Sequence, residues 1–324
     1  MKVAWLVAIV SVAAVVAATA WADTAELETA RSLVTNHQHE DAMVAVEQYL
    51  NQHPNDPAAA TVKSDLYAAL GEWDRSVDVL VGALAQNEDN VELLLALAVT
   101  YREKLMRSGM LGKMSNAKKS REALEKAFAA DPNHLQTRRE MVMYLVHAPG
   151  FAGGDKERGE EIALATVEID EAEGSFQLAA VYWKQGSMDA SKEQFRRTLE
   201  LSPDNVDALL MFGQALVEIE DYAACEKLNL DFIAQWPDRP EPYLGLGDCF
   251  KEQKMVDEAI AQYLDALELD GWSGYARYNV ARLYEKKKDK EQSAYHYRIL
   301  LARNPGYIDI GTAKKQLRKI EKGR

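Results

Sequence analysis

Cysteine is scarce in this chain, two residues in 324. Cys225 and Cys249 cannot build a multi-disulfide framework or a four-cysteine zinc site. The six histidines are scattered. His37 and His39 lie close together, with Glu40, Asp41 and His53 nearby in sequence, but this falls short of closed tetrahedral ligation. A basic excess is also missing: 38 Lys and Arg stand against 51 Asp and Glu, a net charge of −13. That balance excludes a nucleic-acid partner, which needs a positive surface to displace counterions. The stretch Gly150-Phe151-Ala152-Gly153-Gly154-Asp155-Lys156 has glycines and a lysine, but Asp155 precedes the lysine and Glu157 follows it. A phosphate loop needs Gly-Lys-Ser/Thr between a strand and a helix, so no nucleotide cofactor is expected. No nucleophile, base and polar partner recur together, so the chain reads as no enzyme.

Apolar runs of spanning length are missing after residue 22. Before it, Lys2 is the only charge ahead of Asp23, and the intervening run ends in Ala20-Trp21-Ala22. A short basic start, an apolar stretch and a small-x-small site make a signal peptide, with cleavage expected after Ala22. The alternative is an uncleaved membrane anchor, since the run approaches the ~20 residues that cross a bilayer. The expected location is the periplasm, with secretion or membrane anchoring as alternatives.

What the chain does have is a period. Units starting at Ala172, Val206, Pro240 and Gly274 follow one another at intervals of 34 residues. Unit position 8 is small each time: Ala179, Gly213, Gly247 and Ala281. Position 11 is Tyr182, Leu216, Phe250 and Tyr284, and position 24 is Phe195, Asn229, Tyr263 and Tyr297. Pro203, Pro237, Gly271 and Pro305 at position 32 stop a helix. Small residues let two helices cross closely, and apolar residues at helical spacing fill the space between units. Asn229 breaks the pattern where an aromatic is expected. The same register extends back to residue 23, with expanded units at 91–133 and 134–171.

These units resemble the tetratricopeptide repeat (TPR), whose period is 34, and the chain resembles an exported bacterial TPR protein. The resemblance implies an all-α, right-handed α-solenoid of about eight helix–turn–helix repeats. They run 23–56, 57–90, 91–133, 134–171, 172–205, 206–239, 240–273 and 274–307, with a C-terminal capping helix at 308–324. It also implies that the first helices line a concave surface through unit positions 2, 5, 9, 12 and 13. Read there, Phe176, Trp183, Leu210, Tyr275, Tyr278 and Arg282 are candidate partner-binding residues, with Phe176, Trp183 and Tyr278 expected to be exposed; packing between first helices is the competing role. The Lys–Asn pair of the chaperone-binding clamp is absent, which argues against capture of a chaperone tail.

The expansions supply further candidates. Met106, Met110 and Met114 recur every fourth residue, and one helical extension would align them in an apolar stripe of the adaptable kind. The second insertion offers Phe151 on a glycine-rich backbone, expected to be pliable. Both insertions are expected on one edge of the array, side by side. Cys225 and Cys249 fall on successive helices; each suits a small buried slot, which is preferred over a disulfide between them. The partner expected is a protein or peptide, bound by a scaffold for assembly, secretion or maturation of envelope proteins. An accessory subunit of an envelope enzyme or transporter is the alternative. The basic helix bearing Lys314, Lys315, Arg318, Lys319, Lys322 and Arg324 could touch anionic lipid, though a solvated capping face is preferred.

Overall fold

The computed structural model describes residues 25–34, 36–303 and 310–322. The leader expected at 1–22, its cleavage site and Pro305 lie outside them. Among the described residues the chain is helical throughout, with no strand, as the repeat pattern requires. It divides into two compact units, residues 1–130 and 131–324.

The first unit holds three helix pairs: α1 (25–34) with α2 (His39–Gln52), α3 (Pro57–Ala69) with α4 (Trp73–Leu84), and α5 (Val91–Arg107) with α6 (Met110–Ala130). Leu27 and Ala30 of α1, Ala42, Val46 and Tyr49 of α2, and Ala59, Val62 and Leu66 of α3 close one apolar core. The second unit holds five pairs and a last helix. These are α7 (Leu135–His147) with α8 (Lys156–Val167), α9 (Glu171–Gln185) with α10 (Met188–Leu201), and α11 (Val206–Glu218) with α12 (Tyr222–Gln235). Then come α13 (Glu241–Glu252) with α14 (Val256–Leu269), α15 (Gly274–Lys286) with α16 (Lys290–Arg303), and α17 (Ile310–Lys322). Ala313 and Ile320 of α17 bury against Ala294, Tyr297 and Leu300 of α16, so α17 covers the last pair.

Three recurring features show how the register works. At position 15 the backbone turns left-handed: His37, Gly71, Gly186, Glu220, Lys254 and Lys288 all have positive φ. That single residue ends the first helix and aims the second, which then begins at position 17. At position 20, Ser191 donates to the carbonyl of Ala179 at 2.8 Å, and Ser120 donates to that of Ala98 at 2.7 Å. At position 4, Tyr243 and Arg277 reach back to the carbonyls of Pro237 and Gly271 at position 32. Arg138, in the same turn of its own helix, does likewise to Pro132 at 2.6 Å. First-helix N-termini are closed by Asp56, Asn90, Asn205 and Ser273, each accepting from a backbone N–H three residues on.

The unit at 91–133 accommodates its extra residues as helix. Ser120 holds the position-20 contact, so α6 begins seven residues earlier than in the other units, and α5 runs on to Arg107. The methionine stripe is corrected by this geometry. Ser108 is extended and breaks the chain between the helices, leaving Met106 on α5 and only Met110 and Met114 together on α6. The break is clasped: Ser108 donates to the Lys104 carbonyl at 2.7 Å, and the buried Asn116 amide donates to Ser108 Oγ at 2.9 Å.

The insertion at 148–154 is not pliable. Ala152, Gly153 and Gly154 N–H groups bond to the carbonyls of Pro149, Gly150 and Pro149, and Asp155 N–H bonds to that of Leu145 at 2.9 Å. Tyr144 donates its hydroxyl to the Ala152 carbonyl. Gly153 has φ 95°, and a Cβ on Gly154 would lie 1.8 Å from the Ala148 carbonyl oxygen. The glycines are there for a tight close approach. The side chains of Met106 and Phe151 lie outside the described ones.

Candidate functional site

The first helices of the second unit carry the candidate positions, and the structure sorts them into core and surface. Phe176 is 2% exposed and Trp183 6%, both in one cluster with Phe195, Phe212 and Leu216. The expectation that these two rings are exposed is therefore corrected. The reason is Arg139 of α7, which pairs with Glu173 of α9 and at 2.7 Å with Asp207 of α11. Its guanidinium lies 4.8 Å from the Phe176 ring centroid and roofs it. Lys184 covers Trp183 in the same way, its ammonium 3.8 Å from the ring centroid. Beneath the roof, Arg138 donates to Thr166 at 2.7 Å, and Thr166 donates to Gln177 at 3.0 Å. Gln177 returns to Glu173 at 2.9 Å, joining the pairs α7–α8 and α9–α10 through a satisfied polar network.

Further along, the surface opens. Leu210 of α11 and Tyr275 of α15 are each 39% exposed, Tyr278 is half-buried and Arg282 is exposed. Tyr275 is anchored by Asp248 of α13. Its carboxylate accepts from Tyr275 at 2.7 and 2.9 Å, from Tyr263 at 2.6 Å, and from Lys251. Burial, with the Asp248 charge second, pushes both phenols well above the usual tyrosine range, so they stay donors. Arg282 donates to the Tyr278 hydroxyl at 3.3 Å, and Tyr278 sits edge-on to Tyr297 at 6.2 Å. The result is two tyrosines on α15 with fixed hydroxyls, Tyr275 held by Asp248 and Tyr278 by Arg282. Asp248 falls at position 9 of its repeat, whereas nothing in the pattern signals Lys251 or a part for the Tyr263 hydroxyl. In the first unit, Arg31 and Asp65 occupy the equivalent position of successive repeats; burial raises Asp65 to about 6, opposed by Arg31.

Cys225 and Cys249 are joined in a disulfide between α12 and α13, both fully buried, with Cα atoms 6.3 Å apart. This corrects the preference for two separate small apolar residues. Asn229 explains the room: at a position where other units carry an aromatic, its amide donates to the Cys225 carbonyl at 2.9 Å and lies against both sulfurs. Among the described residues, no group of three or more His, Cys, Asp or Glu is arranged to hold a metal, and no helix is long and apolar enough to cross a membrane.

Comparison with known proteins supports the repeat assignment. Tetratricopeptide repeat patterns match residues 176–224, 210–275 and 275–307. A thermophilic TPR protein of Thermus thermophilus has a similar structure, with a TM-score of 0.50 and 16% identity over 60% of this chain and 98% of its own. A TPR protein of Parabacteroides merdae aligns over 92% of this chain and 98% of its own, at 13% identity and a TM-score of 0.47. The protein CTR9 homolog of Arabidopsis thaliana is 29% identical over 122 residues, 36% of this chain. The chain spans 11% of the length of that curated relative. The chain thus carries TPR repeats built into an all-α solenoid fold, a scaffold of the kind that mediates protein–protein interactions.

Proposed function

We propose that this chain is a protein- or peptide-binding scaffold of the bacterial cell envelope, acting outside the cytoplasm in assembly, secretion or maturation of envelope proteins. The row formed by Leu210, Tyr275, Tyr278 and Arg282 is its docking face. The observation that carries the binding reading is Asp248, which fixes the exposed Tyr275 ring in place before a partner arrives. Pre-ordered aromatic and Arg side chains lose little freedom on binding and are the types that anchor interfaces. The buried Cys225–Cys249 disulfide supports the location, because such bonds persist in oxidising compartments. The apolar stretch ahead of Asp23 supports it independently.

Site-specific photo-crosslinking in the producing cell tests the face. A crosslinker placed at Leu210, Tyr275 or Arg282 should capture one and the same discrete partner. The same group at Lys227, exposed on the second helix α12, should not. Crosslinking that is indifferent to the face removes the docking reading. Osmotic-shock fractionation tests the location: recovery of the chain with cytoplasmic markers alone removes the envelope reading.

A further inference from the structure

The most exposed large apolar side chains of the described residues lie together, on the first turns of α6. Met110 is 82% exposed, Leu111 87% and Met114 69%. They sit on the seven-residue extension of that helix, which at about 1.5 Å per residue carries them about 10 Å past where the second helix of other units begins. Burial in this unit's core is not available to them, and scattered single exposure does not describe three neighbours.

The charge around them is predominantly basic. From Arg102 to Arg121 the chain holds seven basic residues against Glu103 alone, a net of +6 in a protein of net −13. The first turn of α6 contains no acid, although a helix N-terminus favours one. Lys104 and Arg107 are held at the base by Asp74 and Glu103, Lys113 lies beside the methionines, and Lys118, exposed one turn on, pairs with Glu122 at 3.7 Å. Apolar side chains on a tip, with long basic side chains collared behind them, match the chemistry of a bilayer interface. Acyl chains accept methionine and leucine, while anionic headgroups pair with the lysines.

We infer that the α5–α6 tip is a membrane-docking device that inserts Met110, Leu111 and Met114 into an anionic bilayer surface. Its residues are distinct from those of the Asp248 face, and it does not rest on that reading. Clasping of Ser108 by Lys104 and Asn116 holds the two helices as one projecting unit, so the tip arrives pre-formed.

The test uses the full chain with Leu111→Cys carrying an environment-sensitive fluorophore; the two native cysteines are buried and bonded to each other, so labelling is specific. Vesicles of phosphatidylglycerol should raise the emission about threefold with a blue shift, as expected on entry into the acyl boundary. Vesicles of phosphatidylcholine should not, and high salt should reverse the response. Lys113→Glu with Lys118→Glu should shift the half-maximal lipid concentration upward about tenfold. Lys314→Glu with Lys315→Glu, on α17, should leave the tip's response unchanged. The inference is overturned if anionic vesicles leave the label unchanged, or if the α17 pair abolishes the response while the tip pair does not. A label that instead responds to protein concentration without vesicles overturns it in favour of contact with a second copy.

Discussion

A glycine at unit position 8 means different things in neighbouring repeats. A Cβ on Gly247 would lie 2.8 Å from the Tyr263 ring, whereas on Gly213 it would meet only the Asn229 amide at 3.8 Å. Gly247→Ala should therefore cost about 1–3 kcal/mol through overpacking. Gly213→Ala should be neutral or gain up to about 1 kcal/mol from helix propensity. Urea denaturation midpoints separate the two. His296 gives a second residue-scale expectation. It is 5% exposed, its Nδ1 has no hydrogen-bond partner, and burial followed by the facing Arg277 holds its pKa at about 4. Tyr284 stacks on it, and Tyr295 lies edge-on. Because the folded pKa is depressed below 6.5, acid protonates the unfolded chain first. Stability should fall as pH drops from about 6.5 to about 4, by on the order of 3 kcal/mol. His296→Phe should flatten that limb in stability curves measured across the interval. A limb unchanged by the substitution would assign it to other groups.

At the scale of elements, the turn within each pair sets a common demand that side chains meet unequally. Gly71 and Gly186 take the left-handed conformation freely, while Glu220, Lys254 and Lys288 take it at φ near 60°. Lys254→Gly should stabilise by about 0.5–1 kcal/mol, the left-handed strain of an L residue less the added chain entropy of glycine. Gly186→Ala should destabilise by a similar amount, read from the same urea curves. The α12–α13 junction is a separate case, since a covalent bond spans it. Cys225 and Cys249 are 24 residues apart, and closing a loop of that size contributes about 3 kcal/mol by the chain-entropy account. Cys225→Ala with Cys249→Ala should lower stability accordingly, and reductant should no longer affect the double variant.

For the molecule as a whole, the repeat logic predicts that such losses stay local, because each pair contacts chiefly its neighbours. Hydrogen exchange on the disulfide-free variant should show lost protection centred on α11–α14, with α1–α4 unchanged. Uniform loss across both compact units would mean one cooperative body. The same nearest-neighbour logic explains what is legible in the sequence. Period and pairing depend on local spacing, so the linear order of residues is enough to reveal them. The burial of Phe176 is not legible there, because the residue that covers it, Arg139, lies a full repeat away and pairs onward to Asp207. The disulfide is equally hidden: Asn229 stands out as an exception, but the space it leaves is visible only in three dimensions. In the expansion at 91–133 the helix is foreseeable and its break at Ser108 is not, since one extended residue leaves no periodic mark.

The contact from the start of one pair to the carbonyl at position 32 bears on how such chains diverge. The phenol of Tyr243 and the guanidinium groups of Arg138 and Arg277 have in common a polar hydrogen at the right reach, and each delivers it to the equivalent carbonyl of the preceding pair. Where the side chain makes no other bond, as with Tyr243, the hydrogen matters more than the residue that brings it. A lineage can exchange phenol for guanidinium without passing through an unfolded intermediate, and two arrays can keep one backbone while their alphabets drift apart.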